Sequence, residues 1–322
     1  MRWEGRRAVN YPMIGRDTPS VRTISPMSRP ALPFGRLLTA MVTPFKADGA
    51  LDLDAAADLA TYLVDEMDND ALVISGTTGE SPTTTDAEKT ELLRVVIDAV
   101  GDRAQIVAGV GTFATDHTIH LAREAAAAGA HGLLVVTPYY SKPPQSGLLA
   151  HFTAVADATD LPILLYDIPH RSGVEIATDT LIRLAEHTNI AGVKDAKGNL
   201  VESSRVMAAT DLAYYSGDDA ITLPLMSVGG VGLVGTSTHF SGRAAKQMMV
   251  AFSEGRVSEA LELHRRLEPT FTGVFATQGC ILVKAGLGLK GRPVGGLRAP
   301  LLSATDAQTE AFAACLRRSC LL

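Results

Sequence analysis

From Leu37 onward the chain alternates short apolar runs with longer stretches whose apolar residues recur at helical spacing. The apolar runs are Leu37–Val42, Ala71–Ile74, Gln105–Val110, Gly132–Val136, Pro162–Tyr166, Ile190–Val193, Ala213–Tyr215 and Val231–Val234. Runs this brief, with almost no polar position inside them, read as strands covered on both faces, the signature of a parallel sheet. Several of the intervening segments open on a capping residue. Asp52 or Asp54 leads into a helix over Leu53–Met67, and Asp86 into one over Ala87–Val100. Thr115 or Asp116 leads into His117–Ala128, and Thr178 or Asp179 into Thr180–His187. Eight strand–helix alternations predict an α/β fold, a (β/α)8 TIM barrel, with an open doubly wound sheet as the alternative.

Past the eighth strand the alternation stops. Arg243–Gly255, Ser258–Leu267, Gln278–Leu289 and Asp306–Arg317 read as helices with no strands between them. The expected organisation is a head over residues 1–36, a barrel over 37–242, and a small C-terminal helical appendix over 243–322 that packs on the barrel.

Composition narrows the classes. The chain has 322 residues, of which 46% are apolar, so a large single core is within reach. No apolar run reaches the length of roughly 18–20 residues that spans a bilayer. A net charge of −6 argues against a nucleic-acid or membrane-surface partner. Cys280, Cys315 and Cys320 are odd in number and lack metal-site spacing, which fits a reduced, cytoplasmic setting. The head departs from the rest: seven arginines against Glu4 and Asp17 give it +5, leaving −11 for the remainder of the −6 total. Rich in Pro and Ser and without periodicity, it reads as a disordered extension or as sequence preceding a later start at Met13 or Met27. An organelle transit peptide has a similar composition.

In barrels of this kind the reactive groups stand at the C-terminal ends of the strands and in the loops that follow. Unusual residues gather there. Lys194 ends strand six, where a cationic side chain either pairs with Asp195, snorkels into water, or loses its proton in a dry pocket. A dry, deprotonated amine is a nucleophile that can capture a ketone as a Schiff base. Tyr166 ends strand five, beside it, at a strand spacing of about 5 Å, where a phenol can relay protons. Thr77 and Thr78 follow strand two inside Gly76-Thr77-Thr78-Gly79-Glu80, a turn whose hydroxyls and amides can approach a carboxylate. Tyr139 and Tyr140 follow strand four, and Arg171 carries a fork of donors suited to a second carboxylate.

Other motifs are set aside. Gly230-Val-Gly232-Leu-Val-Gly235 has the dinucleotide-binding glycine spacing, but it lies in the last strand instead of turning from a first strand into a helix. Its glycines fit close packing, or a closely lying substrate, better. His117 and His120 share a helix face without an evident third ligand, so no metal site is expected.

Gly-Thr-Thr-Gly-Glu-Ser, Thr-Pro-Tyr-Tyr, Leu-Tyr-Asp-Ile-Pro-His-Arg-Ser-Gly, Gly-Val-Lys-Asp-Ala and Tyr-Ser-Gly-Asp-Asp occur in that order. With them the sequence resembles the class I pyruvate aldolases related to N-acetylneuraminate lyase. Within that family it is most similar to the synthases that join pyruvate to L-aspartate 4-semialdehyde. The resemblance implies an imine between Lys194 and pyruvate, with Tyr166, Thr77 and Tyr140 as proton relay and Tyr140 reaching in from a neighbouring subunit. It also implies that Thr78 holds the pyruvate carboxylate, Arg171 receives that of the aldehyde, and Gly217 and Val234 line the pocket. No cofactor or metal is implied, and the assembly would be a homotetramer of tight dimers. The pathway would be the first stage of lysine and diaminopimelate synthesis. Arg171 separates these synthases from sialic acid lyases, which usually carry a small or apolar residue there. The alternatives are a related lyase acting on N-acetylneuraminate or a 2-keto-3-deoxy sugar acid, and a non-catalytic barrel. In lysine-inhibited relatives an allosteric cleft near the Gly-Thr-Thr-Gly-Glu-Ser loop uses two histidines and an asparagine. Asp86, Lys89 and Phe113 stand at the matching places, so weak or absent lysine feedback is expected.

Overall fold

In a computed structural model that describes residues 32–322, eight parallel strands close into a barrel in sequence order. They are β1 (Leu37–Ala40), β2 (Ala71–Ile74), β3 (Gln105–Gly109), β4 (Gly132–Val136), β5 (Ile163–Asp167), β6 (Ile190–Asp195), β7 (Ala213–Ser216) and β8 (Gly232–Gly235). The predicted barrel is therefore the observed one, and the open sheet is excluded by the β1–β8 pairing. The crossover helices are α1 (Leu53–Thr61), α2 (Asp86–Val100), α3 (Thr115–Ala127) and α4 (Gln145–Ala156), followed by the short α5 (Pro169–Ser172) and by α6 (Thr178–Leu184). Next come α7 (Leu200–Ala209), α8 (Thr222–Ser227) and α9 (Thr238–Ser253), and then the C-terminal helices α10 (Val257–Gly273), α11 (Gly279–Leu289) and α12 (Asp306–Arg318).

Side-chain alternation along the strands divides the core in two. Leu164 and Tyr166 of β5, Ala213 and Tyr215 of β7 and Val234 of β8 fill the barrel interior. Ile163 and Leu165 turn outward into the layer beneath the helices. Burying such a side chain contributes roughly 1.5–3 kcal/mol, so each layer locks the register of the strands that feed it. The dinucleotide-like glycines serve this packing: a Cβ at Gly232 would lie 2.1 Å from the Arg36 carbonyl oxygen.

Several expected boundaries move. Asp52 does cap α1, accepting from the Ala55 amide, but that helix continues as a π-turn over Tyr62–Glu66. The cap of α2 is Thr85, not Asp86: Thr85 and Glu88 form a reciprocal capping box, and Asp86 is the first helical residue. Thr115 and Thr178 are likewise already helical, after Ala114 and Ala177, which offer no side-chain cap. Their acidic neighbours still favour the first turn through the helix dipole. α10 runs through Pro269 to Gly273, beyond the expected end at Leu267.

A cut at 242/243 falls inside α9, which packs against β1 and completes the barrel's outer ring. The appendix proper comprises α10, lying along α9 and α12, and α11, lying against α12. Phe312 of α12 meets Phe240 of α9 edge-on at 5.6 Å. At the other end, the head as expected over 1–36 is too long by its last residues. Residues 1–31 lie outside the described residues, whereas Phe34 is buried in the barrel interior and Arg36 holds the Val231 carbonyl and, through its amide, Asp70. The Tyr215 hydroxyl donates to the Gly35 carbonyl, sealing the barrel floor. Among the described residues no helix is long and apolar enough to cross a membrane.

Candidate active site

Register puts the two expected reactive residues side by side: Tyr166 pairs with Lys194, and Lys194 with Tyr215 across the next strand. Tyr166 and Lys194 point into the barrel near its C-terminal mouth, whereas the Tyr215 side chain turns down to the floor, where its hydroxyl meets Gly35. The Lys194 amine lies 4.1 Å from the centre of the Tyr166 ring. Asp195, one residue on, faces the opposite way. Its carboxylate accepts from the Lys197 and Gly198 amides and the Ser203 hydroxyl, so it is not the partner of Lys194.

Burial sets the chemistry of this pair. Lys194 is 5% exposed, and removal from water pushes its ammonium down to about 8; the buried Asp219 carboxylate pulls the other way and Arg171 adds to the depression. Tyr166, 4% exposed, is pushed up to about 12 by burial, against the lowering effect of the Arg171 charge and the Thr77 hydroxyl. At neutral pH the phenol therefore keeps its proton while part of the lysine gives its own up. That is the pairing an amine nucleophile and a proton donor need.

A cavity of 290 Å³ opens over Lys194, with Thr77, Thr78, Tyr166, Arg171 and Gly217 in its wall. A second cavity of 180 Å³ lies beyond Tyr166 and is lined mainly by apolar surface, with Thr77, Tyr139, Tyr166 and Arg171 on its sides. Six of the eight expected site residues thus meet in one place. Val234 does not join the wall; it is fully buried in the barrel interior below. Tyr140 stands apart as well, 93% exposed, at a positive φ of 72° that turns it outward from its own barrel. Its neighbour Tyr139 takes the inward place and meets Phe113 edge-on at 5.6 Å.

The structure adds groups that were not singled out from the sequence. Asp219 is fully buried and accepts from the amides of Thr236 and Ser237 and from the Ser237 hydroxyl. Thr236 in turn sits 3.3 Å from Thr78, hydroxyl to hydroxyl. Asp219 belongs to the quoted Tyr-Ser-Gly-Asp-Asp motif and Thr236 follows the end of β8, so the strand-end rule reaches both. Phe275, Thr277 and Gln278, from the turn before α11, complete the rim of the larger cavity. Nothing local in their sequence signals that placement. Outside the barrel wall, Lys197 lies 2.8 Å from Glu202 and 3.6 Å from Asp167. Burial drives the Asp167 carboxyl up to about 7, while the charge of Lys197 holds it down. This ion-pair cluster ties the ends of β5 and β6 to α7, immediately behind Tyr166 and Lys194.

Residues 33–319 match the Dihydrodipicolinate synthetase family. The chain is 66% identical over 280 residues to the 4-hydroxy-tetrahydrodipicolinate synthase of Acidothermus cellulolyticus, covering 87% of this chain and 90% of that protein. It is 61% identical to the enzyme of the same name from Cutibacterium acnes, covering 91% of this chain and 99% of that protein. In fold it is similar to the synthase of Cyanidioschyzon merolae with lysine bound, at a TM-score of 0.88 and 43% identity, covering 90% of this chain and 99% of the other. It is also similar to the chloride-inhibited synthase of Acinetobacter baumannii complexed with pyruvate, at a TM-score of 0.86 and 32% identity, covering 90% and 100%.

Proposed function

Given that the chain belongs to the Dihydrodipicolinate synthetase family, we propose that it condenses pyruvate with L-aspartate 4-semialdehyde to 4-hydroxy-tetrahydrodipicolinate through a Schiff base on Lys194. The observation that carries this reading is a buried amine, held near neutrality by loss of water, beside a protonated phenol. The free amine adds to the keto carbon of pyruvate, and the carbinolamine loses water as protons pass through Tyr166 and Thr77. Loss of a methyl proton turns the imine into an enamine, whose carbon attacks the aldehyde of the second substrate. Attack of that substrate's own amine on the imine carbon closes the ring and returns Lys194 as a free amine.

Thr78 holds the pyruvate carboxylate, Arg171 the carboxylate of the aldehyde, and Gly217 leaves room for both. Val234 stays in the packed barrel interior and not in the wall of the cavity over Lys194. Arg171 favours this substrate over N-acetylneuraminate or a neutral sugar aldehyde, because a guanidinium fork matches a carboxylate in charge and geometry. Tyr140 completes the relay from a neighbouring subunit: its phenol is turned away from its own site, and the 180 Å³ cavity beside Thr77 and Tyr166 accepts a ring of that size. The assembly is a homotetramer of tight dimers in the cytoplasm, supplying diaminopimelate and lysine synthesis.

Reduction with borohydride in the presence of pyruvate, read by peptide mass, tests the mechanism: the added mass should fall on Lys194 alone. A coupled assay comparing aspartate 4-semialdehyde with N-acetylmannosamine and glyceraldehyde tests the substrate. Turnover of either sugar above that of the semialdehyde would overturn the assignment.

A further inference from the structure

Thr77 and Thr78 sit on a loop whose backbone is costly to hold. Ser75 and Glu80 flank it at φ values of 58° and 56°, left-handed positions that side chains other than glycine rarely adopt. Such a turn persists only where its surroundings fix it; the Thr43 hydroxyl donates to the Gly79 carbonyl at 2.7 Å, and the charged anchor is Glu80. Its side chain is fully buried. One carboxylate oxygen lies 2.7 Å from the amine of Lys284 on α11, itself 3% exposed. The other accepts the Arg298 amide at 3.0 Å.

The partners are anchored in turn. Lys284 donates to the Gly296 carbonyl and stands 4.4 Å from the Phe45 ring centre, and the Arg298 guanidinium lies over that same ring, also at 4.4 Å. Arg298 reaches on to the carbonyls of Gly49 and Thr83 and to the Glu88 carboxylate. The N-terminus of α11 meets the loop a second time. A Cβ on Gly279 would lie 3.0 Å from the Thr236 methyl, and the Thr236 hydroxyl touches Thr78. A buried ion pair adds little net stability once desolvation is counted, so its retention beneath a reactive loop calls for another use.

We propose that Glu80 is a positioning residue, and that the Glu80–Lys284 pair is the means by which the C-terminal helices set Thr77 and Thr78 for pyruvate capture. This inference rests on the reading of Thr78 and Thr77 as the pyruvate-carboxylate and proton-relay residues. It predicts a split between substrates, because the semialdehyde carboxylate is assigned to Arg171 on α5, which the pair does not touch.

The test uses Glu80→Gln, Lys284→Met and the double variant in the full-length chain. Each single change strands a buried charge or dipole and lowers the thermal midpoint; the double change removes both charges and should recover most of it. In the double variant kcat/KM for pyruvate should remain down by about tenfold or more while KM for the semialdehyde stays within about twofold of the parent. Recovery of pyruvate kinetics together with the thermal midpoint would overturn the proposal, reducing the pair to a structural contact. An equal rise in both KM values would overturn it as well. Borohydride trapping on the parent protein is run alongside: if Lys194 is not trapped there, the underlying mechanism fails, whatever the variants do.

Discussion

The Lys194 amine faces the ring of Tyr166 at 4.1 Å, and its neighbour Asp195 is turned to the other side of the sheet. The Lys194 amine is therefore kept by a π-face and by exclusion of water, and among the described residues no carboxylate forms an ion pair with it. A direct ion pair would have held the proton on.

This arrangement fixes the pH response. With the ammonium pushed down to about 8, imine formation should rise about tenfold per pH unit below that value and level off above it. The rate of borohydride-trapped adduct against pH reads this out; a flat profile between pH 6 and about 8 would contradict it.

The same shift costs stability. The unfolded lysine, near 10.5, binds its proton more tightly than the folded one, so the penalty is fully present below about 8 and is relieved as pH rises from there towards 10.5. Lys194→Met should therefore raise stability at pH 7 by on the order of 3 kcal/mol, with the gain vanishing near pH 10.5. Lys194→Ala should abolish the pyruvate adduct while keeping the fold. Chemical denaturation at several pH values separates the charge effect from packing.

Arg171 lines both cavities. Arg171→Ala should leave the pyruvate adduct intact and weaken condensation by about 1.5–3 kcal/mol of lost charge-assisted bonding. Measured kcat/KM for the semialdehyde equal to the parent's would remove Arg171 from the reaction.

Tyr140 can be assigned to one subunit or the other by complementation. Lys194→Ala and Tyr140→Phe proteins are each expected to be poor catalysts. Reassembled in equal amounts, they should recover about one quarter of parental activity, because a site that keeps its own lysine meets an intact tyrosine in half of the pairings. If each tyrosine serves its own barrel, mixing recovers nothing.

Lysine should inhibit weakly or not at all. Asp86 is engaged by His117 at 2.9 Å, the Lys89 amine donates to the Thr84 carbonyl and would repel a second ammonium, and Phe113 is packed against Tyr139. Half-inhibition by sub-millimolar lysine in a steady-state assay would refute this.

How far the sequence could be read depended on the range of the forces involved. Strand existence was legible because eight apolar runs alternate strictly with helical stretches, whereas closure into a barrel over an open sheet rested on the β1–β8 pairing. The strand ends located Lys194, Tyr166 and Thr77 without any knowledge of contacts. Helix starts were legible only to within a residue or two: Thr85 and Asp86 are both acceptable caps, and the reciprocal bond from Glu88 decided between them. Long-range pairings were not legible. Lys284 lies more than two hundred residues from Glu80, in a helix whose local pattern says only that one face is apolar. The inward pull on Phe34 was hidden for a related reason: the interior cluster it joins is assembled from strands spread from β1 to β8.

Among the described residues, Phe34 and the Tyr215–Gly35 bond close the barrel floor, so the approach to Lys194 is through the cavity at the mouth. Whatever is made over Lys194 must depart by the route its ingredients used, so traffic is one-at-a-time in both directions. A semialdehyde molecule that arrives before pyruvate occupies the passage without being able to react, and the enzyme should accordingly stall when the second substrate is supplied in large excess over the first.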